Sequence, residues 1–247
     1  MITETILRNT SKSLGITVSH YESSKFGGKK LEFLNKWIKE FNYYAKKYVD
    51  VTNGDTPYLW TEREMNGALL IALSNFTDAC ISETSTRRKN GARKIADRTD
   101  RHGRVDFWAR FGIQDFYIES KHSYVARNSK LPNKDVLLKQ GKLFEQLHQS
   151  IETNEFNTDT SKVYHLAIQT VVLKTKNKAT QTDFTDEDWN QLIKNYYQMD
   201  IKFGKRVLSP NWLGIIKFSD QVVQKTKREY EKDSWHYHGL IFIATYI

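Results

Sequence analysis

The chain has 247 residues, 39% of them hydrophobic and 13% aromatic, with only 3 prolines and 12 glycines. That excludes a disordered or collagen-like chain and leaves room for one large domain with a real core. The formal net charge is +9, and a single cysteine rules out a disulfide framework or a cysteine-based zinc site within the chain.

The first residues, "MITETILRNTSKSLG", lack the apolar run of a signal peptide, and no stretch approaches the ~18 apolar residues of a membrane span. A cytoplasmic protein with no membrane partner is expected. Residues 1–28 show little pattern and end in a Phe26-Gly27-Gly28 breaker. "KKLEFLNKWIKEFNYYAKKYV" then reads as an amphipathic helix with Leu31, Leu34, Ile38, Phe41 and Ala45 on one face. Residues 52–57, "TNGDTP", break the chain, so 1–57 reads as a helical extension. A second helix follows from Thr61, with Glu64 three residues on in a capping-box pattern. Residues 77–84 fit a strand, and Cys80 in that apolar run fits an inert core residue.

Residues 87–104 concentrate the charge: Arg87, Arg88, Lys89, Arg93, Lys94, Arg98, Arg101 and Arg104 stand against only Asp97 and Asp100, a local balance of +6. The segment reads as a long loop, with or without a short helix. Such a concentration suits a polyanion partner, and a solvated loop also accounts for it.

Next comes "GRVDFWARFGIQDFYIESKHSY". Two runs rich in aromatic and β-branched residues flank Gly112-Ile113, where Gly at the first central position suits a type II′ hairpin turn. Phe111 then pairs with Gln114, and paired residue numbers sum to 225. In that register Arg110 faces Asp115, Trp108 faces Tyr117, and Asp106 faces Glu119. Alternation puts Asp106, Glu119 and Lys121 on one face. Like charges directly opposite destabilise a sheet unless something bridges them. A divalent cation of the Mg²⁺ type does so, since it binds through one or two carboxylates and keeps water or phosphate in its other positions. A lysine on the same face can hold an attacking water or steady developing phosphate charge.

Further along, residues 135–152 form a helical pattern with Val136, Gln140, Leu143, Leu147 and Ile151 in one row. Residues 162–173 are a buried strand, 185–198 an acid-capped helix, and 211–218 and 238–247 two more strands. The alternation points to an α/β fold, a mixed central sheet flanked by helices.

Asp106 followed by Glu119-Ser120-Lys121 resembles the PD-(D/E)xK motif of the restriction-endonuclease-like nucleases, with Val105 where the family often has proline. The order helix, three-strand meander, helix, strand over 58–173 is similar to that family's core, with 174–247 as a C-terminal α/β addition completing a single domain. The resemblance implies Mg²⁺-dependent hydrolysis of phosphodiester bonds, with Mn²⁺ as a substitute ion, and a restriction or phage-defence role. It implies Asp106 and Glu119 as metal ligands and Lys121 as the residue that orients water. It also implies an acid from the preceding helix. Glu64 and Glu62 are the candidates, and Glu64 is preferred because it shares a row with Gly67, Ala68 and Ile71. Gln140 is placed like a glutamine near the metal in some relatives, and fits a hydrogen-bonded core amide better. Double-stranded DNA is the expected partner, contacted by Arg87, Arg88, Lys89, Arg93, Lys94, Arg101 and Arg104. Double-strand cleavage with one active site per chain suggests a homodimer. His102 and His122 flank the motif, where each fits either phosphate contact or solvation.

A second motif competes. His236-Tyr237-His238 before an apolar strand resembles the His-hydrophobic-His motif of rolling-circle and relaxase nickases, in which two histidines bind a metal and a tyrosine attacks phosphate. No tyrosine with convincing context accompanies it; Tyr21 is the N-terminal candidate. A non-catalytic nucleic-acid-binding domain with a decayed site is the remaining alternative.

Overall fold

The computed structural model describes residues 2–7, 12–22, 26–58, 61–89, 100–127, 133–151, 162–176, 184–203, 206–226, 228–230 and 233–247. They form an α/β fold with one large mixed sheet between two layers of helices. In chain order the elements are β1 (Ile2–Leu7), β2 (Gly15–Glu22), α1 (Gly28–Val51), α2 (Glu62–Ser74), β3 (Ala79–Lys89), β4 (Asp100–Phe111), β5 (Gln114–Ala126) and α3 (Lys134–Ile151). They continue with β6 (Lys162–Lys176), α4 (Asp186–Tyr197), β7 (Ile201–Phe203), β8 (Arg206–Leu208), β9 (Trp212–Phe218), α5 (Asp220–Lys225), β10 (Arg228–Tyr230) and β11 (Asp233–Tyr246).

The strand order is β1-β2-β9-β11-β6-β5-β4-β3, with β10 paired to β11. Among the described strands only β5 and β6 run parallel, joined by α3, because a parallel pair needs a crossover across the sheet face. The N-terminal segment departs from expectation. It is not a purely helical extension: β1 and β2 add two antiparallel strands to one sheet edge, β2 pairing with β9. Their sequences show no clear alternation because polar residues go inside. Thr17 and Ser19 are buried, and Asn42 of α1 meets that polarity, accepting from the Leu14 N–H at 2.7 Å and donating to Thr17 Oγ1 at 2.6 Å.

α1 buries Phe33, Leu34, Trp37, Ile38, Phe41, Ala45 and Val49 at three- and four-residue intervals. That stripe lies on the sheet beside α2. Phe33 stacks on Phe116 of β5 with ring centroids 3.8 Å apart, and Trp37 Nε1 donates to the Leu69 carbonyl of α2 at 2.9 Å. The opposite face is covered by α3 and α4, whose Val136, Leu143, Leu147, Trp189 and Leu192 pack on Ala167, Val171, Ile241 and Ile243. Cys80 is at the margin of the core, half-buried, because β3 is the outermost strand at its edge.

The basic segment also departs from expectation. Arg87, Arg88 and Lys89 are in β3 and Arg101 and Arg104 in β4, where the pairing Arg87↔His102, Arg88↔Arg101 and Lys89↔Asp100 prolongs the antiparallel ribbon. Alternation hid this, because charge on both faces does not read as a strand. Arg93 and Lys94 lie outside the described residues, as do the side chains of the five ribbon residues. No helix among the described residues is long and apolar enough to cross a membrane.

Candidate active site

The β4–β5 hairpin carries the site, and its turn sets the register. Gly112 has φ +62 while Ile113 is not in the positive-φ region, the combination a type II′ turn requires. From there the ladder runs Phe111↔Gln114, Arg110↔Asp115, Ala109↔Phe116, Trp108↔Tyr117 and Phe107↔Ile118, every pair summing to 225 as the turn demands. Arg110 and Asp115 form a two-pronged ion pair, Nε to Oδ1 and Nη2 to Oδ2, both 2.8 Å.

The ladder stops one residue short of Asp106 and Glu119. Asp106 Oδ2 accepts the Ser120 N–H at 2.7 Å, a side-chain bond where the strand pairing ends. On the other flank, β3 pairs Ser82 with Phe107 and Thr84 with Val105, leaving Glu83 across from Asp106 outside the ladder. Glu83 has φ 53, a conformation that costs a non-glycine residue about 1 kcal/mol or more and tends to mark functional sites. The sheet thus opens on both sides of Asp106.

Four ionisable side chains meet at this opening. Burial is the first influence on Asp106 and pushes its carboxyl above the ordinary carboxylate range. The Ser120 N–H and the Lys121 charge pull it down, Glu62 raises it, and a hydrogen bond with Glu119 lowers it. Glu119 is 1% exposed. Lys121 Nζ donates to Glu62 Oε1 at 2.9 Å and to the Ser120 carbonyl at 3.0 Å. A cleft of about 750 Å³ opens beside two of them, bordered by Glu62, Asn66, Gly67, Ser82, Glu83 and Asp106.

The helix acid that reaches the site is Glu62. Glu64 is engaged elsewhere: its Oε2 accepts the Thr61 N–H at 2.6 Å, and its own N–H reaches Thr61 Oγ1 in a complete capping box. The sequence carried the signal. A glutamate at the third position of a capping box is turned back on the helix start, which leaves the first-position acid free. Gly67 borders the cleft instead of easing the helix onto the sheet.

The other sequence candidates fall away from this group. His122 is 5% exposed, with burial, then the Lys139 charge, pushing its pKa down to about 4. It packs edge-on against Tyr124 and does not reach solvent for phosphate contact. The side chain of His102 lies outside the described residues. Trp108 and Tyr117 pair as expected, and Tyr117 stacks on His165 with centroids 5.8 Å apart. Gln140 is fully buried with neither end of its amide partnered. At the other motif, the pairing of β11 with β6 shifts between Tyr237 and Gly239, a bulge at His238. His238 is buried, its Nε2 2.7 Å from Thr175 Oγ1 and its ring 5.0 Å from Phe184. The His236 and His238 rings are 6.4 Å apart.

Among the described residues no three His, Cys, Asp or Glu side chains form a metal cage by themselves. Mg²⁺ needs less, one or two carboxylates with water and phosphate completing its sphere, and the all-oxygen pair Asp106–Glu119 fits that chemistry. No protein-family model, curated protein or solved structure matches the chain.

Proposed function

We propose that this chain is a Mg²⁺-dependent endonuclease that hydrolyses phosphodiester bonds in DNA, on a restriction-endonuclease-like core formed by α2, β3, β4, β5, α3 and β6. The observation that carries the reading is the meeting of Asp106, Glu119, Lys121 and Glu62 where the ladder opens on both sides of Asp106. A half-buried and a fully buried carboxylate side by side are relieved of their repulsion by a bridging divalent cation. Asp106 and Glu119 would hold Mg²⁺, or Mn²⁺ in its place. When bound, the ion supplies charge for the developing phosphorane oxygens and lowers the pKa of water.

The residues do the rest. Ser120 N–H fixes the Asp106 carboxylate in orientation. Lys121, anchored on Glu62 of the cleft wall and on the Ser120 carbonyl, would orient the water that attacks phosphorus. The water oxygen forms the new bond, the phosphorus–oxygen bond to the leaving sugar breaks, and both ends are free of protein. The ribbon of β3 and β4 that bears Arg87, Arg88, Lys89, Arg101 and Arg104 leads into Asp106, a placement suited to backbone phosphates. Double-stranded DNA, a homodimer and a restriction or phage-defence role belong to the same proposal.

The test is plasmid DNA incubated with the protein in Mg²⁺, with and without EDTA, beside Asp106→Ala. Cleavage that EDTA and the substitution both abolish is the expected result. Binding without cleavage would favour a decayed site, and an active Asp106→Ala would overturn the assignment.

A further inference from the structure

Resting on that reading, we propose that Gln169 of β6 is a positioning residue of the site, the buried acceptor against which Lys121 is set. Gln169 is directly opposite Lys121 in the parallel β5–β6 pair, on the same face. Adjacent strands are about 4.8 Å apart, within reach of a lysine side chain. The preceding pair in that row is Glu119 and Ala167, so only a methyl group stands beside the catalytic acid.

Gln169 is fully buried, and its amide is held one way round. Nε2 donates to Ser123 Oγ at 2.8 Å, and Ser123 Oγ donates to Asp135 Oδ2 at 3.0 Å. Asp135 is in turn paired with Lys139, whose ammonium also reaches the His122 carbonyl. The relay assigns the nitrogen end of the amide, and so the oxygen end. Oε1 faces away from the relay and has no partner. Buried acceptors are nearly always paired, and an orphan fixed in orientation calls for a donor. The charged donor in register is Lys121.

In the structure Lys121 leans the other way, to Glu62, whose side chain is 40% exposed against 16% for Lys121. Glu62 is therefore an outer anchor that incoming phosphate can compete with, and Gln169 an inner one that substrate cannot reach. The inner position would hold the ammonium on the β6 side of β5, in the row where Ala167 is beside Glu119.

The experiment follows the Gln169 side-chain amide by ¹⁵N-resolved NMR. Glu62→Gln removes the outer carboxylate, and the Gln169 resonance shifts as Lys121 moves inward. In Glu62→Gln with Lys121→Ala it returns to its wild-type position. A resonance that ignores Glu62→Gln, or shifts equally without Lys121, overturns the proposal. Kinetics give the second arm: Gln169→Leu lowers kcat about tenfold with KM unchanged, the effect of losing one positioning hydrogen bond. In a Lys121→Ala background it costs nothing further, since the residue acts through Lys121. Equal losses in both backgrounds would mean a merely structural glutamine. Absence of any wild-type cleavage would count against the nuclease reading alone, and the resonance then decides the role of Gln169 by itself.

Discussion

The acids of β4 and β5 and the histidines of β11 both begin as polar side chains expected on one strand face, yet the sheet treats them oppositely. At Asp106 the pairing with β5 ends and the pairing with β3 skips one residue, and a cleft opens beside Asp106. His236 and His238 straddle a bulge between two pairing partners, and His238 is sealed against Thr175 and Phe184. Sharing a face is therefore only a first condition for chemistry. The second is a break in the backbone ladder that lets substrate approach, and the third is a cation near the acids. The hairpin meets all three through Lys121, which bonds Glu62. The histidine strand has its own break, the bulge at His238, but there the ring is buried against Thr175 and Phe184 instead of facing a cleft.

The sharpest way to break this comparison is to exchange the roles. Lys121→Ala is expected to lower kcat by about 10²–10⁴-fold with little loss of DNA binding, the range for a group acting on the attacking water. The double substitution His236→Ala with His238→Ala is expected to retain most activity. Labelled DNA on denaturing gels should stay free of protein, because water is the nucleophile. A covalent protein–DNA adduct that disappears in the double histidine variant would reverse the assignment.

A smaller effect sharpens the contrast by its sign. Burial raises the Asp106 pKa in the folded chain above its unfolded value. A group shifted that way contributes stability fully below its unfolded pKa and loses it as pH rises through the folded pKa. At neutral pH, without metal, the ionised carboxyl is thus a net cost. Asp106→Asn should stabilise the metal-free protein at pH 7, and the gain should fade as pH falls through the raised folded pKa and be gone below the ordinary carboxylate range. Thr175→Val should do the opposite, costing about 1–2 kcal/mol because it leaves a buried nitrogen of His238 unpaired. Urea unfolding in EDTA across pH 4–8 reads both. If Asp106→Asn destabilised the protein at every pH, the strained-acid picture would fall.

The same contrast explains what the residues disclosed in advance. The hairpin was legible because its register depends on two turn residues, and Gly112 supplies the positive φ that fixes it. From that followed Arg110 with Asp115, Trp108 with Tyr117, and the shared face of Asp106, Glu119 and Lys121. The end of the ladder at Phe107–Ile118 was not legible, since it depends on Asp106 capturing a backbone N–H from the next strand. The bulge at His238 depends on pairing with Thr175 and its neighbours, some sixty residues earlier, and nothing local announces it. The N-terminal strands were hidden because Val18 is flanked by the buried Thr17, Ser19 and His20, polar groups that look like surface. Gln169 gave no signal either: one amide in an apolar run acquires meaning only when the parallel register sets it against Lys121.

The finest test separates two acids in one turn of α2. Glu64 and Glu62 are two residues apart, and both are in the first turn, where carboxylates favour the positive end of the helix. Their contacts divide the labour. Glu64 bonds the Thr61 N–H and belongs to the helix, whereas Glu62 bonds Lys121 and belongs to the cleft. Glu64→Ala should therefore cost about 0.5–1 kcal/mol of stability, the worth of half a capping box, and leave kcat unchanged. Glu62→Ala should leave the melting temperature nearly unmoved, because its ion pair is 40% exposed on the acid side, and lower kcat severalfold as Lys121 loses its outer anchor. Melting curves and cleavage rates on the same two variants decide the matter. A Glu64→Ala enzyme that keeps its stability but loses activity would return the third acid to Glu64, and would mean that its capping contact yields to the metal site when substrate binds.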